Sequence, residues 1–452
     1  MIFERFEEIG LSHYSYAIGC SKLGQIAIID PRYDVDLYLE YAEQNRLVIS
    51  HVFETHIHAD YASGARHLAV RAGAELVLSA YDKGEKYEVN FPHHPCFDGD
   101  MFQLGEVTLK VLHTPGHTPE HLSFLVFEEG IPKVLFSGDF LMVGTLGRPD
   151  LLGEEAKVGL AKKLFSSVHT KLRTLPNDVV VCPAHGSGSF CGGGIGYEPF
   201  STLGQERLKN PFLNLQLSER EFIDLILAKN SFCPDYFPTL KAYNSSNERK
   251  EVRSIVPLKP HAFEQERQKG AVVIDLRGQT PFCEGHIPGS ICIGFGEKFG
   301  YWASLTLPYD RPLLIVTPDP ILVNEAMTAL ARVGLFDVVG YLQGGINTWK
   351  ESGFPIETLE EILPETFQEK GVVDVRSDRE WESDQMDEAL HIPCTELKRR
   401  LSELPERKAT FVCAGGYRSV LAASLAKHHG HKAVAHLSGG LLACRGRRLT
   451  LI

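Results

Sequence analysis

The chain has 452 residues, enough for about three domains at about 150 residues each. Apolar residues make up 43% and charged residues 23%, an ordinary globular composition, and a formal charge of −12 argues against a nucleic-acid or anionic-membrane surface. No apolar run approaches the ~18 residues of a membrane span, the first residues lack the basic-then-apolar order of a signal peptide, and no two of the ten cysteines form a C-x-x-C pair, so reduced thiols in the cytoplasm are expected.

In chain order, residues 25–32 read as a strand ending in a turn and 36–42 as a helix. Residues 47–53 read as a buried strand. It runs into the stretch 55–64, where His56, His58 and Asp60 alternate. Further strands are expected at 75–78 and 107–112. The latter leads into Thr114-Pro115-Gly116-His117, whose Pro-Gly turn presents His117 at a strand end. His113 and His121 are rivals for the same role. Residues 134–139 deliver Asp139 after a glycine, and 179–186 deliver His185. Any one of these histidines alone reads as an ordinary hydrogen-bonded residue. Successive strand ends carrying His/His/Asp, His, Asp and His read instead as a metal site on a rigid scaffold.

The motifs His56-x-His58-x-Asp60, Thr114-Pro115-Gly116-His117, Ser137-Gly138-Asp139 and Pro183-Ala184-His185-Gly186 resemble those of the metallo-β-lactamase superfamily. The resemblance covers residues 1–200 and implies an αββα sandwich with the metal at one edge of its two sheets. The dinuclear zinc hydrolases of this superfamily carry His directly after the Asp of the first motif. Here that position is Tyr61, a poor replacement for imidazole on zinc. Two histidines and one carboxylate, with positions left open, suit a mononuclear non-haem Fe(II) that activates oxygen. The persulfide dioxygenases of the superfamily have such a site. Their pattern selects His56, His117 and Asp139 as iron ligands, with His58, Asp60 and His185 orienting ligands or water. Residues 147–150, Gly-Arg-Pro-Asp, are similar to the segment after the metal-bridging Asp in those enzymes. Arg148 is then expected beside the iron pocket, bound to a substrate carboxylate or paired with Asp150. Cys20 and Cys191 are either buried thiols or contacts to a sulfur substrate.

Residues 201–258 read as a helical linker, with a capping box at Ser218 and Glu221 and a boundary near 256–260. A pattern then occurs twice. Residues 272–277, 313–316 and 341–346 match 372–376, 410–412 and 436–441, so two α/β domains with parallel sheets are expected at 259–358 and 359–452. In the second copy a strand leads to Cys413-Ala414-Gly415-Gly416-Tyr417-Arg418 and an apolar helix. A helix amino terminus with aligned backbone N–H groups and a nearby Arg holds a sulfur anion. The first copy has Thr317-Pro318-Asp319-Pro320 there, with no thiol and two prolines that remove backbone donors.

These repeats resemble rhodanese domains. Asp275-Leu276-Arg277, Gly285-His286-Ile287-Pro288-Gly289 and Gly344-Gly345-Ile346 with Trp349 carry the first match. Asp374-Val375-Arg376, the Cys413–Arg418 loop and Gly439-Gly440-Leu441 carry the second. The second copy departs from the pattern at Leu390-His391-Ile392-Pro393 and at Cys444, where Trp is usual. The resemblance implies that the first copy is inactive. It implies too that Cys413 forms a cysteine persulfide in a loop where Gly415, Gly416, Tyr417 and Arg418 bind substrate.

The whole order resembles the persulfide dioxygenase–sulfurtransferase fusions of bacterial sulfide detoxification. It implies oxidation of a low-molecular-weight thiol persulfide by O2 to sulfite, with thiosulfate formed or used, and assembly into a dimer or tetramer. A zinc thioester hydrolase of the glyoxalase II type with a sulfur-carrier appendage, and a persulfide-binding scaffold, are the alternative readings.

Overall fold

The computed structural model describes residues 1–229, 232–252, 254–317, 319–368 and 370–448. It contains two units, one of Met1–Lys250 with Ala331–Gly334, the other of Glu251–Leu330 with Leu335–Ile452.

The first unit is built on two six-stranded sheets. One runs in the order Ile2–Glu8, His13–Cys20, Gln25–Ile29, Val48–Phe53, Glu75–Ser79, His94–Cys96. The other runs Ser201–Thr202, Val180–Pro183, Ile131–Gly138, Leu122–Glu128, Val107–His113, Met101–Leu104. Alternation along a strand sends every second side chain to the same face. Val107, Leu109 and Val111 therefore point inward from one sheet to meet Ile18, Phe53 and Val77 of the other. Phe124 and Phe136 fill the space between them. Full burial of each such side chain stabilises the fold by about 1.5–3 kcal/mol. Helices cover both outer faces. Tyr38 of Asp36–Gln44 and Leu68 of Ala65–Ala72 pack on Ile26 and Ile28. Ala161 and Leu164 of Glu154–Ser167 pack on Leu135 and Val181. The αββα sandwich expected from the motifs is the observed architecture.

The segment 201–258 is helical as expected, but as far as residue 250 it is not a free linker. Phe222 and Ile226 of Glu219–Ala228 are buried in the core beneath Glu154–Ser167. The capping box forms: Ser218 Oγ accepts from the Glu221 N–H, and Glu221 Oε2 accepts from the Ser218 N–H at 2.9 Å. The next helix, Phe237–Ser245, carries the buried Lys241 and Asn244 back to the histidine loop.

The second unit repeats one design. Each copy has a five-stranded parallel sheet, in the orders Pro257–Leu258, Val338–Leu342, Leu313–Val316, Val272–Asp275, Ile291–Cys292 and Glu360–Ile362, Val434–Leu437, Ala409–Val412, Val372–Asp374, Leu390–His391. The Asp-x-Arg motifs play the same part in both. Arg277 forks onto Asp275 and donates to the Gly285 carbonyl, and Arg376 forks onto Asp374 and donates to the Asp384 carbonyl. The second copy thus keeps the bond although it lacks the G-H-I-P-G glycines. Trp349 is buried and donates to the Pro355 carbonyl. Its counterpart Cys444 packs against the smaller cluster of Val372, Val412 and Leu437. Pro318, one of the two prolines read as disabling the first copy, lies outside the described residues.

Candidate metal centre and cysteine loop

The four expected strand ends lie along one edge of the sandwich. His56 follows Val48–Phe53, His117 follows Val107–His113, Asp139 follows Ile131–Gly138 and His185 follows Val180–Pro183. All four are buried. His56 Nε2 is 3.6 Å and His117 Nε2 3.4 Å from Asp139 Oδ2. Each of these three atoms lacks a hydrogen-bond partner. Buried polar atoms left unpaired cost free energy unless something absent from the chain satisfies them. Three that converge within 4.8 Å of one another fit a cation.

The surrounding groups fix which atoms face the centre. His117 Nδ1 donates to the Arg148 carbonyl at 2.8 Å, which leaves Nε2 as the free lone pair. Thr55 Oγ1 donates to Asp30 Oδ2 and accepts from His56 Nδ1, each at 2.9 Å, which orients His56 likewise. Burial pushes the pKa of His56 well down, with His58 and His117 adding to it. Burial lowers His117 to about 4 against the pull of Asp139. Both imidazoles are neutral, as ligands must be. Burial opposes charge on Asp139, but His185 outweighs it and holds the carboxyl well below the usual range. Gly147 is a backbone requirement: a Cβ there would overlap the Asp139 carbonyl oxygen and stand 2.8 Å from His117 Nδ1.

The other histidines separate by their partners. His121 Nε2 accepts from the Asp139 N–H at 3.0 Å and its Nδ1 bonds Thr114 Oγ1 at 2.9 Å, so neither nitrogen faces the centre. His113 bonds the Pro119 carbonyl through Nε2 and stacks on Tyr81. His58 Nε2 is 3.1 Å from Asp30 Oδ1, while its Nδ1 is buried without a partner. His185 bridges two carboxylates, with Nδ1 2.7 Å from Asp139 and Nε2 2.7 Å from Asp60. Burial opposes its charge, yet Asp139 and Asp60 raise its pKa well above the ordinary value. Only the Asp139 contact has hydrogen-bond geometry; Nε2 faces Asp60 without a hydrogen bond. Cys191 lies beside it: donor atoms of Asp60, His185 and Cys191 also lie within 4.8 Å of one another. Burial pushes the Cys191 thiol far up. Tyr61 is buried and donates to the Asp30 carbonyl at 3.3 Å. Cys20 is buried too, beside Gly105 and away from this edge.

Of the two roles expected for Arg148, the geometry displays the pairing. Its guanidinium forks onto Asp150 at 2.6 and 2.8 Å and donates to the Phe190 and Phe232 carbonyls, with 2% of the residue exposed. Several residues of the site carried no motif. Asp30 holds Thr55 and His58. Lys241 donates to the Ile57 carbonyl at 2.7 Å, and Asn244 Nδ2 to the His58 and Tyr61 carbonyls. Glu54 and Glu120 line a cavity beside His56, and burial raises Glu54 to about 7. Only the position of Asp30 at a predicted strand end hinted at any of them.

In the second unit Cys413 lies between the strand Ala409–Val412 and the helix Tyr417–His428. The Gly416 N–H donates to Cys413 Sγ at 3.1 Å, and Ser419 Oγ is 3.6 Å from it. Gly416 has φ 97°, which a side chain would strain. Gly415 has open space on its Cβ side. Arg418 forks onto Glu380 at 2.7 and 2.6 Å, so its charge is shared with a carboxylate. Tyr417 donates to the Gly294 carbonyl of the first copy at 3.1 Å. The N–H groups of Leu441 and Leu442 hold the Cys413 and Ala414 carbonyls at 2.9 and 3.0 Å, which is what the Gly-Gly-Leu motif does. All ten cysteines are free. No helix among the described residues is long and apolar enough to cross a membrane.

Comparison with known proteins places the fold in its family. Residues 9–185 match the metallo-beta-lactamase superfamily model, and residues 259–352 and 357–445 each match the rhodanese-like domain model. The hydroxyacylglutathione hydrolase GloC of Haemophilus influenzae is 30% identical over 206 residues, 42% of this chain and 87% of that protein. The mitochondrial persulfide dioxygenase ETHE1 of Homo sapiens is 28% identical over 259 residues, 53% of this chain and 91% of that protein. A metallo-beta-lactamase structure from Staphylococcus aureus subsp. aureus COL is 35% identical with a TM-score of 0.68, covering 76% of this chain and 98% of that one. The chain is homologous to persulfide dioxygenase and to glyoxalase II-type hydrolases at similar identity, and it belongs to the metallo-β-lactamase superfamily, with two rhodanese-like domains following the sandwich.

Proposed function

We propose that this protein is a persulfide dioxygenase that uses one Fe(II) and couples oxidation to sulfur transfer through Cys413. The observation that carries this reading is the convergence of three unpartnered donors, His56 Nε2, His117 Nε2 and Asp139 Oδ2. Two imidazoles and a carboxylate with open positions are the donor set of oxygen-activating non-haem iron. The similarity to ETHE1 and the rhodanese-like copies support sulfur as the substrate element.

The balance is RS–SH + O2 + H2O giving RSH, sulfite and two protons. Bound iron supplies a centre at which a sulfur ligand and dioxygen exchange electrons. The chain does the rest. Thr55 and the Arg148 carbonyl hold the two imidazoles in register. His185 Nδ1 holds Asp139 Oδ1 at 2.7 Å and so leaves Oδ2 for the metal. Burial of the whole edge excludes bulk water. At the second site the Cys413 thiolate attacks the sulfane sulfur of a persulfide or thiosulfate. A new S–S bond forms as the old one breaks, and a thiolate or sulfite leaves. Gly416 N–H and the helix end face the attacking sulfur and hold it as a thiolate before transfer.

The test is oxygen uptake by iron-loaded protein with a panel of thiol persulfides, scoring sulfite against thiosulfate. H117A should abolish uptake, whereas C413S should keep uptake and lose sulfur transfer. A second reading, a zinc thioester hydrolase, is favoured by the similarity to GloC. Stoichiometric zinc after anaerobic purification, thioesterase activity and no oxygen uptake would establish it against the first.

A further inference from the structure

One cluster lies outside both sites, where the two rhodanese-like copies meet. Glu361 and His436 are register partners on the parallel strands Glu360–Ile362 and Val434–Leu437 of the second copy. Cys283 comes from the helix Gln279–Glu284 of the first copy. Its Sγ is 3.3 Å from His436 Nε2, and the same nitrogen is 3.3 Å from Glu361 Oε1. Cys283 and His436 are 3% and 2% exposed, while the carboxylate side opens to solvent.

A Cys–His–carboxylate relay does not fit this geometry. In a relay the thiol and the carboxylate address opposite ring nitrogens. Here both address Nε2, and Nδ1 is buried without a partner. The thiol and the carboxylate thus converge on one ring nitrogen, which groups a sulfur, an oxygen and a nitrogen donor around one point. A cation among them is within reach of all three. A thiolate, a carboxylate and a neutral imidazole also balance a charge of +2.

We propose that Cys283, Glu361 and His436 form a site for a borderline divalent cation of the Zn(II) class, joining the two rhodanese-like copies. All three donor atoms lie within 4.8 Å of one another. Sulfur, nitrogen and oxygen donors in one set select zinc over magnesium or calcium. Three protein ligands leave a fourth position for water on the exposed Glu361 side. Ser438 Oγ donates to Glu361 Oε1 at 3.2 Å and holds the carboxylate in place. The site gives the first copy, which has Thr317 in place of a catalytic thiol, a part in the assembly: it supplies one ligand and, through Gly294, an anchor for Tyr417.

The thiol must lose its proton to bind. Burial, with Glu361 and Glu284 adding to it, pushes Cys283 up to about 12, so one proton leaves per cation bound near neutral pH. Burial lowers His436 against the pull of Glu361, which keeps the imidazole neutral.

The experiment is titration of the full-length, iron-loaded protein with Co(II), whose thiolate complexes show a near-ultraviolet charge-transfer band. One equivalent of thiolate-bound cobalt is expected. C283S should remove the band, whereas C191S and C413S should keep it. E361Q, at an exposed position, should weaken cobalt binding at least tenfold with sulfur transfer intact. The proposal fails if wild type shows no such band, if the band survives C283S or disappears in C191S, or if E361Q leaves the affinity unmoved.

Discussion

Thr55 is the residue through which the argument for the metal centre can be tested most directly. Its hydroxyl is used twice, donating to Asp30 Oδ2 and accepting from His56 Nδ1, each at 2.9 Å. Thr55→Val keeps the branched shape and the backbone bond from Thr55 N to Asp30 Oδ1 at 2.7 Å, so the loop stays anchored. It leaves a buried imidazole N–H and a carboxylate oxygen unsatisfied, at about 1–3 kcal/mol each. Loss of an orienting partner of a metal-bound histidine lowers metal affinity by about 10–100-fold. That is about 1.4–2.8 kcal/mol of binding free energy. Anaerobic competition against a chelator should show this loss in T55V and near-wild-type affinity in T55S, which restores the hydroxyl. Oxygen uptake at limiting iron should fall in step and recover at saturating iron. A folded T55V with wild-type affinity would refute the assignment of His56 Nε2 to the metal through this hydrogen bond.

Other substitutions probe the remaining parts of the molecule. Gly147→Ala should abolish iron binding, because the added methyl overlaps the Asp139 carbonyl and crowds His117; iron content after anaerobic loading measures it. Gly440→Ala should abolish sulfur transfer and spare oxygen uptake. At φ 64° its methyl would overlap the Cys413 and Ala414 carbonyls and displace the cysteine loop, so separate assays of the two activities on one preparation should diverge. The fork from Arg418, with burial opposing, holds Glu380 down at about 2. Its folded pKa is depressed, so the pair's contribution is present above the ordinary value of 4.5 and is lost as pH falls toward about 2. Wild type should therefore melt above E380Q at neutral pH, with the gap closing over that window and narrowing in high salt because the pair is partly exposed.

The parts of this protein that follow from local order were legible in the sequence. The strand ends bearing His56, His117, Asp139 and His185, the capping box at Ser218 and the twofold repeat with Cys413 in one copy only all rest on residues a few positions apart. What could not be read locally was the choice among chemically equal histidines. His121 sits four residues from His117, yet the Asp139 N–H and Thr114 take both of its nitrogens. His58 sits two residues from His56, and Asp30 takes one of its nitrogens from 28 positions away. The helix Phe237–Ser245 read as connection because Lys241 and Asn244 have partners about 184 and 186 residues upstream, which no periodicity announces.

Arg148 shows the same division from the other side. Its G-R-x-D setting left a substrate carboxylate and Asp150 open as partners, and only the fold decides how much of the guanidinium remains free. Its Nε, Nη1 and Nη2 donate to Asp150 and to two carbonyls, and burial shuts out solvent. The charge then acts at a distance from the chemistry, through the backbone: fixing residues 148–150 fixes the carbonyl that holds His117. The motif lies beside the His117 turn because that histidine depends on the Arg148 carbonyl, so an arginine beside a candidate metal site can owe its place to the backbone it pins.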